Sequence, residues 1–153
     1  MPGEGRYKKI LVPLDGSGWS RRAIPHAVDI ARANGSELVL LHVFRPPTAE
    51  YADQIVLAGQ EGQIEELRQA AQQSLDSLSS ELHSQSIEVK TQVIEGIGVA
   101  SAICDYVREE NIDLVVMSTH GRTGIARFLF GSVAAKVMEG VKVPVLLIHP
   151  DRE

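Results

Sequence analysis

Residues 112–133 read IDLVVMSTHGRTGIARFLFGSV, and the parsing of this stretch decides the fold. Its apolar run, Ile112 to Met117, reads as a buried strand. Glycines follow at 121, 124 and 131, with Arg122 and Arg127 among them, and Gly131-Ser132 opens a helix of about Ser132 to Glu139. A strand that runs through a glycine-bearing loop into a helix N-terminus makes a site for an anion. Glycine lets the backbone approach a ligand closely, and the first helical N–H groups have no partner inside the helix. The expectation is a phosphate cradle, with a nucleotide as the bound molecule.

The same alternation of strand and helix repeats upstream. Tyr7 to Leu14 reads as a strand whose core is Ile10, Leu11, Val12 and Leu14. Pro13 cannot donate to a central ladder, so that strand is expected to end there. After the turn Asp15-Gly16-Ser17-Gly18, Ser17 or Ser20 caps a helix reaching Asn34, with Ala23, Ala27, Ile30 and Ala31 on its apolar face. Pro25 falls in its first or second turn, where a missing N–H costs less. Asn34-Gly35 closes the helix, and Glu37 to Phe44 is the second strand.

Residues 45–60 carry Pro46-Pro47 and no periodicity, apart from an apolar island at Ile55 to Leu57. A loop of this length is either functional or a plain surface connection. A long helix follows over about Glu61 to Ser84. Its stripe of Ile64, Leu67, Ala71, Leu75, Leu78 and Leu82 is expected to pack wholly into the core. Ile87 to Glu95 alternates with polar members, which places it near a sheet edge. Gly96 and Gly98 lead into a helix of about Val99 to Glu110, and Val143 to His149 is the last strand.

Such alternation, with apolar strands and amphipathic helices, predicts one α/β domain over residues 1–153. The architecture expected is a doubly wound, Rossmann-like, five-stranded parallel sheet in the order 3-2-1-4-5, with helices on both faces. Ligands in such sheets bind beyond the carboxyl ends of the strands, where the strand order reverses. Strands one and four end in Asp15-Gly16 and Ser118 to Gly121, so one cleft is expected to hold both.

Composition narrows the function. The chain has 153 residues, enough for a single core that buries about 68–70% of the unfolded surface. A net charge of −5, without a basic stripe interleaved with aromatics, argues against nucleic acid. No apolar run approaches the roughly 18 residues of a membrane span, and no signal core precedes a cleavage site. Cys104 stands alone, so no internal disulfide forms. The expectation is a soluble cytoplasmic protein.

Two phosphate motifs fail. A Walker loop needs a Gly-Lys pair, which the chain lacks. Gly16-Ser17-Gly18-Trp19-Ser20-Arg21 matches two glycines of a dinucleotide fingerprint. However, Arg21 is bulky where glycine is needed, and the second strand ends in Val43-Phe44 without a carboxylate for a ribose. A third pattern fits. ILVPLDGS, LLHVF, MSTHGRTG…GSVAAKV and VPVLLI together resemble the universal stress protein family, in its ATP-binding branch, over nearly the whole chain. That family's signature is G-x2-G-x9-G-[ST]. Gly121, nine intervening residues and Gly131-Ser132 match its second half, while Ser118 replaces its first glycine.

The resemblance implies residue roles. Pro13 and Asp15 border the nucleoside, with Asp15 reaching the ribose hydroxyls, and Val43 and Met117 flank the adenine. Ser118, Gly121, Gly131, Ser132 and Val133 hold the phosphates. Arg122 and Arg127 either neutralise phosphate charge or are simply solvated. For Asp15 the plainer alternative is a helix-capping turn residue; for Val43 and Met117 it is core; Gly124 shapes the loop.

His120 lies inside the loop, but no carboxylate neighbours it in sequence to orient an imidazole. His26, His42, His83 and His149 lack the close spacing of a zinc site. With no base to activate water, the reading is ATP binding with little or no turnover, with Mg²⁺ or Mn²⁺ left open. The alternatives are a slow ATPase or autophosphorylating protein, and an AMP or cyclic-nucleotide sensor. A two-component receiver domain fits poorly, because Asp15 has no adjacent acid and strand three ends in Glu95-Gly96. An apolar last strand at the sheet edge, together with the family resemblance, predicts a homodimer through Val143–His149.

Overall fold

The computed structural model describes residues 5–45, 61–120 and 131–149. Five parallel strands form one sheet in the order β3-β2-β1-β4-β5. They are β1 (Lys9–Leu14), β2 (Glu37–Phe44), β3 (Val89–Glu95), β4 (Leu114–Ser118) and β5 (Val145–Ile148). The helices are α1 (Gly18–Arg21), α2 (Ala23–Asn34), α3 (Glu61–His83), α4 (Val99–Glu109) and α5 (Ser132–Gly140).

Burial follows position in the sheet. Every residue of β4, and all of β1 after Lys9, is buried, as strands covered on both faces must be. The edge strands β3 and β5 contain no fully buried residue. Side chains of β1 alternate between two cores. Ile10, Val12 and Leu14 pack with α2 and α3, whereas Leu11 joins α4 and α5 with Val43, Met117, Ala134 and Val137. This alternation is what winds the helices onto both faces.

Pro13 does not end the first strand. β1 continues to Leu14 and keeps its register on β2 through Pro13↔Leu41 and Leu14↔His42. The backbone explains the tolerance. The Lys8 carbonyl faces β2, accepting from Glu37, and the Lys9 carbonyl faces β4, accepting from Asp113. Successive residues alternate, so the amide that Pro13 lacks would face β4. There the pairing runs only through Ile10↔Leu114 and Leu11↔Val115. The missing donor is therefore felt on the β4 side, where the pairing stops at Leu11↔Val115, while the ladder to β2 runs on unbroken.

Two further expectations need correcting. The helix after the first turn is split: α1 stops at Arg21 and α2 starts at Ala23. A proline ring clashes with the carbonyl four residues earlier, and for Pro25 that residue is Arg21. Restarting at Ala23 puts Pro25 in the first turn of α2, where no helical donor is lost. The stripe of α3 is also only half used. Leu75 and Leu82 are buried, but Leu67 is 62% exposed. The 23 residues of α3 span about 34 Å, against about 23 Å for the seven of β3, so its first turns overhang the sheet.

Candidate functional site

At the carboxyl ends of β1 and β4 the sheet reverses its strand order. From β1 comes Asp15, half-buried, followed by Gly16 at φ 87°, a left-handed turn that glycine adopts without a Cβ penalty. The turn folds Ser17 back onto the carboxylate. Asp15 Oδ1 accepts the Ser17 N–H at 2.9 Å and the Ser17 hydroxyl at 2.5 Å. Asp15 is thus a turn-forming residue, while the cap of α1 is Ser17, whose Oγ accepts the Ser20 N–H at 3.2 Å.

From β4 come Ser118, Thr119 and His120, all at most 7% exposed. The Ser118 hydroxyl donates to the His120 carbonyl at 2.9 Å and accepts its N–H at 3.4 Å. Its hydroxyl thus closes the turn that starts the loop. Nor does this position demand glycine: Ser118 is not among the residues of positive φ.

Thr119 joins three elements. Its N–H donates to Ile148 at the end of β5 at 3.0 Å, and its carbonyl accepts the Gly131 N–H at 2.6 Å. Its Oγ1 lies 2.9 Å from His120 Nδ1 and 3.4 Å from the Ile148 carbonyl. The two ends of the glycine loop therefore meet. A Cβ on Gly131 would sit 2.9 Å from the Thr119 carbonyl oxygen, although its φ of −68° and ψ of 163° suit any residue. Close approach, not conformation, is what requires glycine here.

Gly131 is the N-cap of α5 and supplies no side-chain cap. The first N–H groups of this nine-residue helix have no partner within the helix itself, and they lie beside exposed Ser132 and half-buried Val133. A helix N-terminus carries about half a positive charge, which suits a phosphate. Val43 and Met117 are 9% and 5% exposed and share the core beneath α4 and α5. Core packing accounts for both, whatever else their outer atoms touch. Gly121, Arg122, Gly124 and Arg127 lie outside the described residues.

Reading the residues in order missed Ser17 as the partner of Asp15, and it missed Thr119. For Thr119 the signal was present: a polar residue directly after a fully apolar strand has to satisfy its hydroxyl locally. Cys104 belongs to α4 and to none of this; burial, then the Asp105 charge, pushes its thiol above the ordinary value. A surface hollow of about 390 Å³ near Gly96, Ile97 and Ser101 contains none of the predicted site residues. Among the described residues, no helix is long and apolar enough to cross a membrane.

Comparison with known proteins agrees with the fold. The model of the Universal stress protein family matches residues 6–149. The chain is 32% identical to universal stress protein MJ0531 of Methanocaldococcus jannaschii, over 99% of this chain and 87% of that one. Among solved structures, MJ0577 of the same organism superposes with a TM-score of 0.83 at 27% identity, covering 97% of this chain and all of the other. A universal stress protein from Archaeoglobus fulgidus, solved in complex with dAMP, shares the fold at a TM-score of 0.64 and 20% identity, over 94% of this chain and 99% of that one.

Proposed function

The chain belongs to the universal stress protein family, and from that premise we propose that it is an ATP-binding regulatory protein with little or no turnover. One observation carries the proposal: the Gly131 N–H to Thr119 carbonyl bond, which seats the start of α5 against the end of β4. In this reading Asp15 takes the ribose hydroxyls and Pro13 borders the nucleoside. Val43 and Met117 flank the base. Ser118, Gly121, Arg122, Gly131, Ser132 and Val133 hold the phosphates, with Ser118 also shaping the turn that frames them. The donors suit the ligand, since a carboxylate accepts hydroxyl protons and backbone N–H groups at a helix start complement phosphate oxygens.

The direct test is to precipitate purified protein with acid and identify the released nucleotide by chromatography. ATP near one equivalent per chain, retained for hours, is the expected result. Steady accumulation of ADP counts against low turnover, and release of AMP or cAMP replaces ATP with a smaller ligand. Repeating the retention in EDTA tells whether Mg²⁺ or Mn²⁺ accompanies the phosphates.

The proposal includes a homodimer through the C-terminal edge strand. The Pro144 and Ile148 carbonyls accept bonds from β4, so alternation turns the backbone groups of Val145 and Leu147 outward. Leu146, 37% exposed, adds apolar surface. A bare edge of this kind is usually covered, and a second copy would cover it through a two-fold axis. Light scattering at micromolar concentration is expected to give a dimer. Leu146→Asp sets a charge near its own copy across a four-residue strand and should shift the protein to monomer. A wild-type monomer, or a dimer indifferent to the substitution, would remove this interface.

A further inference from the structure

We propose that Ser17 is a positioning residue: it fixes the Asp15 carboxylate and so makes the site prefer ribonucleotides to their 2′-deoxy counterparts. The inference rests on the nucleotide reading above and assigns its sugar specificity to the residue that holds Asp15.

The hydrogen-bond pattern determines where each proton goes. Ser17 Oγ accepts the Ser20 N–H at 3.2 Å, so its own proton is left for Asp15 Oδ1, 2.5 Å away. That length is typical of a hydroxyl donating to a carboxylate, the strong, charge-assisted class. The Ser17 N–H adds a second donor to the same oxygen at 2.9 Å. Ser20, 5% exposed, closes the ring from the other side. Its hydroxyl donates to the Ser17 carbonyl at 2.9 Å and accepts the Asp15 N–H at 3.3 Å. The backbone and one carboxylate oxygen of Asp15 are both clamped, with Gly16 as the left-handed hinge that lets the chain close.

A carboxylate has about four acceptor positions, and the two donors of Ser17 occupy those of one oxygen. The plane of the carboxylate is then set before a ligand arrives. A ribose offers two adjacent hydroxyl protons, whereas 2′-deoxyribose offers one. A fixed acceptor rewards that difference, while a rotating one loses part of it to ordering. Phosphate and base contacts do not depend on this clamp.

Isothermal titration with ATP and with dATP tests the idea on wild type and on Ser17→Ala, Ser17→Thr and Ser17→Asp. Wild type should bind ATP about tenfold more tightly than dATP, the scale of one hydrogen bond to a charged group. Ser17→Ala should lose most of that ratio, weakening ATP several-fold more than dATP, and Ser17→Thr should keep the ratio. Ser17→Asp still caps α1 but gives Asp15 no proton and sets a second carboxylate against it, so an intact cap should not rescue the ratio. Equal weakening of both ligands, or an unchanged ratio in the alanine and aspartate variants, overturns the proposal. A wild type that binds neither nucleotide overturns the nucleotide site itself, and the proposal with it.

Discussion

Gly131→Val is expected to leave a folded protein that has lost its nucleotide. The backbone at Gly131 is ordinary extended chain, so valine meets no conformational strain there. What it meets is the Thr119 carbonyl oxygen, 2.9 Å from the new Cβ, and the His120 Cα at 3.8 Å. Neither is a flexible side-chain end that can swing aside. The carbonyl is also the acceptor of the Gly131 N–H, so relief has to come from moving the start of α5 away from β4. That movement withdraws the N–H groups assigned to the phosphates. Losing two charge-assisted bonds of about 1.5–3 kcal/mol each predicts affinity lower by about 10²- to 10⁴-fold. The overpacking itself costs about 1–3 kcal/mol, within the usual stability of a domain. Acid release should find no nucleotide in the variant, while far-UV circular dichroism stays that of wild type. Gly131→Ala, with the Cβ alone, should fall between. Normal retention by the valine variant would mean that the phosphates sit elsewhere.

Most of the architecture was legible because burial writes itself into strand composition. The apolar runs Leu38–Leu41 of β2 and Leu114–Met117 of β4 suited central strands, and the polar alternation of Ile87 to Glu95 marked an edge. Pro13 misled because the rule about proline in a ladder concerns the missing donor, and only register shows on which side that donor would lie. The second strand pair also starts later than its apolar run. Asp113 Oδ2 accepts the Lys8 and Lys9 N–H groups at 2.8 and 2.9 Å, so a side chain stands in for the first ladder bonds of β4. Leu67 shows the complementary failure, since helical periodicity records which face is apolar but not how far the sheet beneath it extends.

At the site, the sequence placed a helix start at Gly131-Ser132, and α5 begins at Ser132 with Gly131 as its N-cap. Spacing could not say why each small residue is required. Ser118 looked like a weakened glycine, yet its hydroxyl closes a turn with His120 that a glycine could not make. Asp15 looked like a choice between turn residue and ligand contact. Its Oδ1 forms the turn, and that commitment is what would give the rest of the carboxylate a fixed direction.

Thr119→Val is expected to lower stability by about 1–3 kcal/mol, the cost of removing one partner from a buried polar group. Valine matches threonine in shape, so the cavity contribution is small and the hydroxyl is what is lost. The backbone bonds of residue 119, to Ile148 and Gly131, remain available. The contact that disappears is the one at 2.9 Å to His120 Nδ1, together with the longer one at 3.4 Å to the Ile148 carbonyl. Residue 119 is 1% exposed, so water cannot readily replace the hydroxyl. For a domain of this size each kcal/mol moves the melting temperature by about 2–4 °C, which calorimetry resolves. Thr119→Ser keeps the hydroxyl and should recover most of the loss, less a small term for the missing methyl. Because Thr119 bonds to the end of β5 and to the start of α5, the valine variant should also retain ATP less well and dimerise more weakly. A valine variant that melts with wild type would show that the hydroxyl contributes nothing to holding the loop closed.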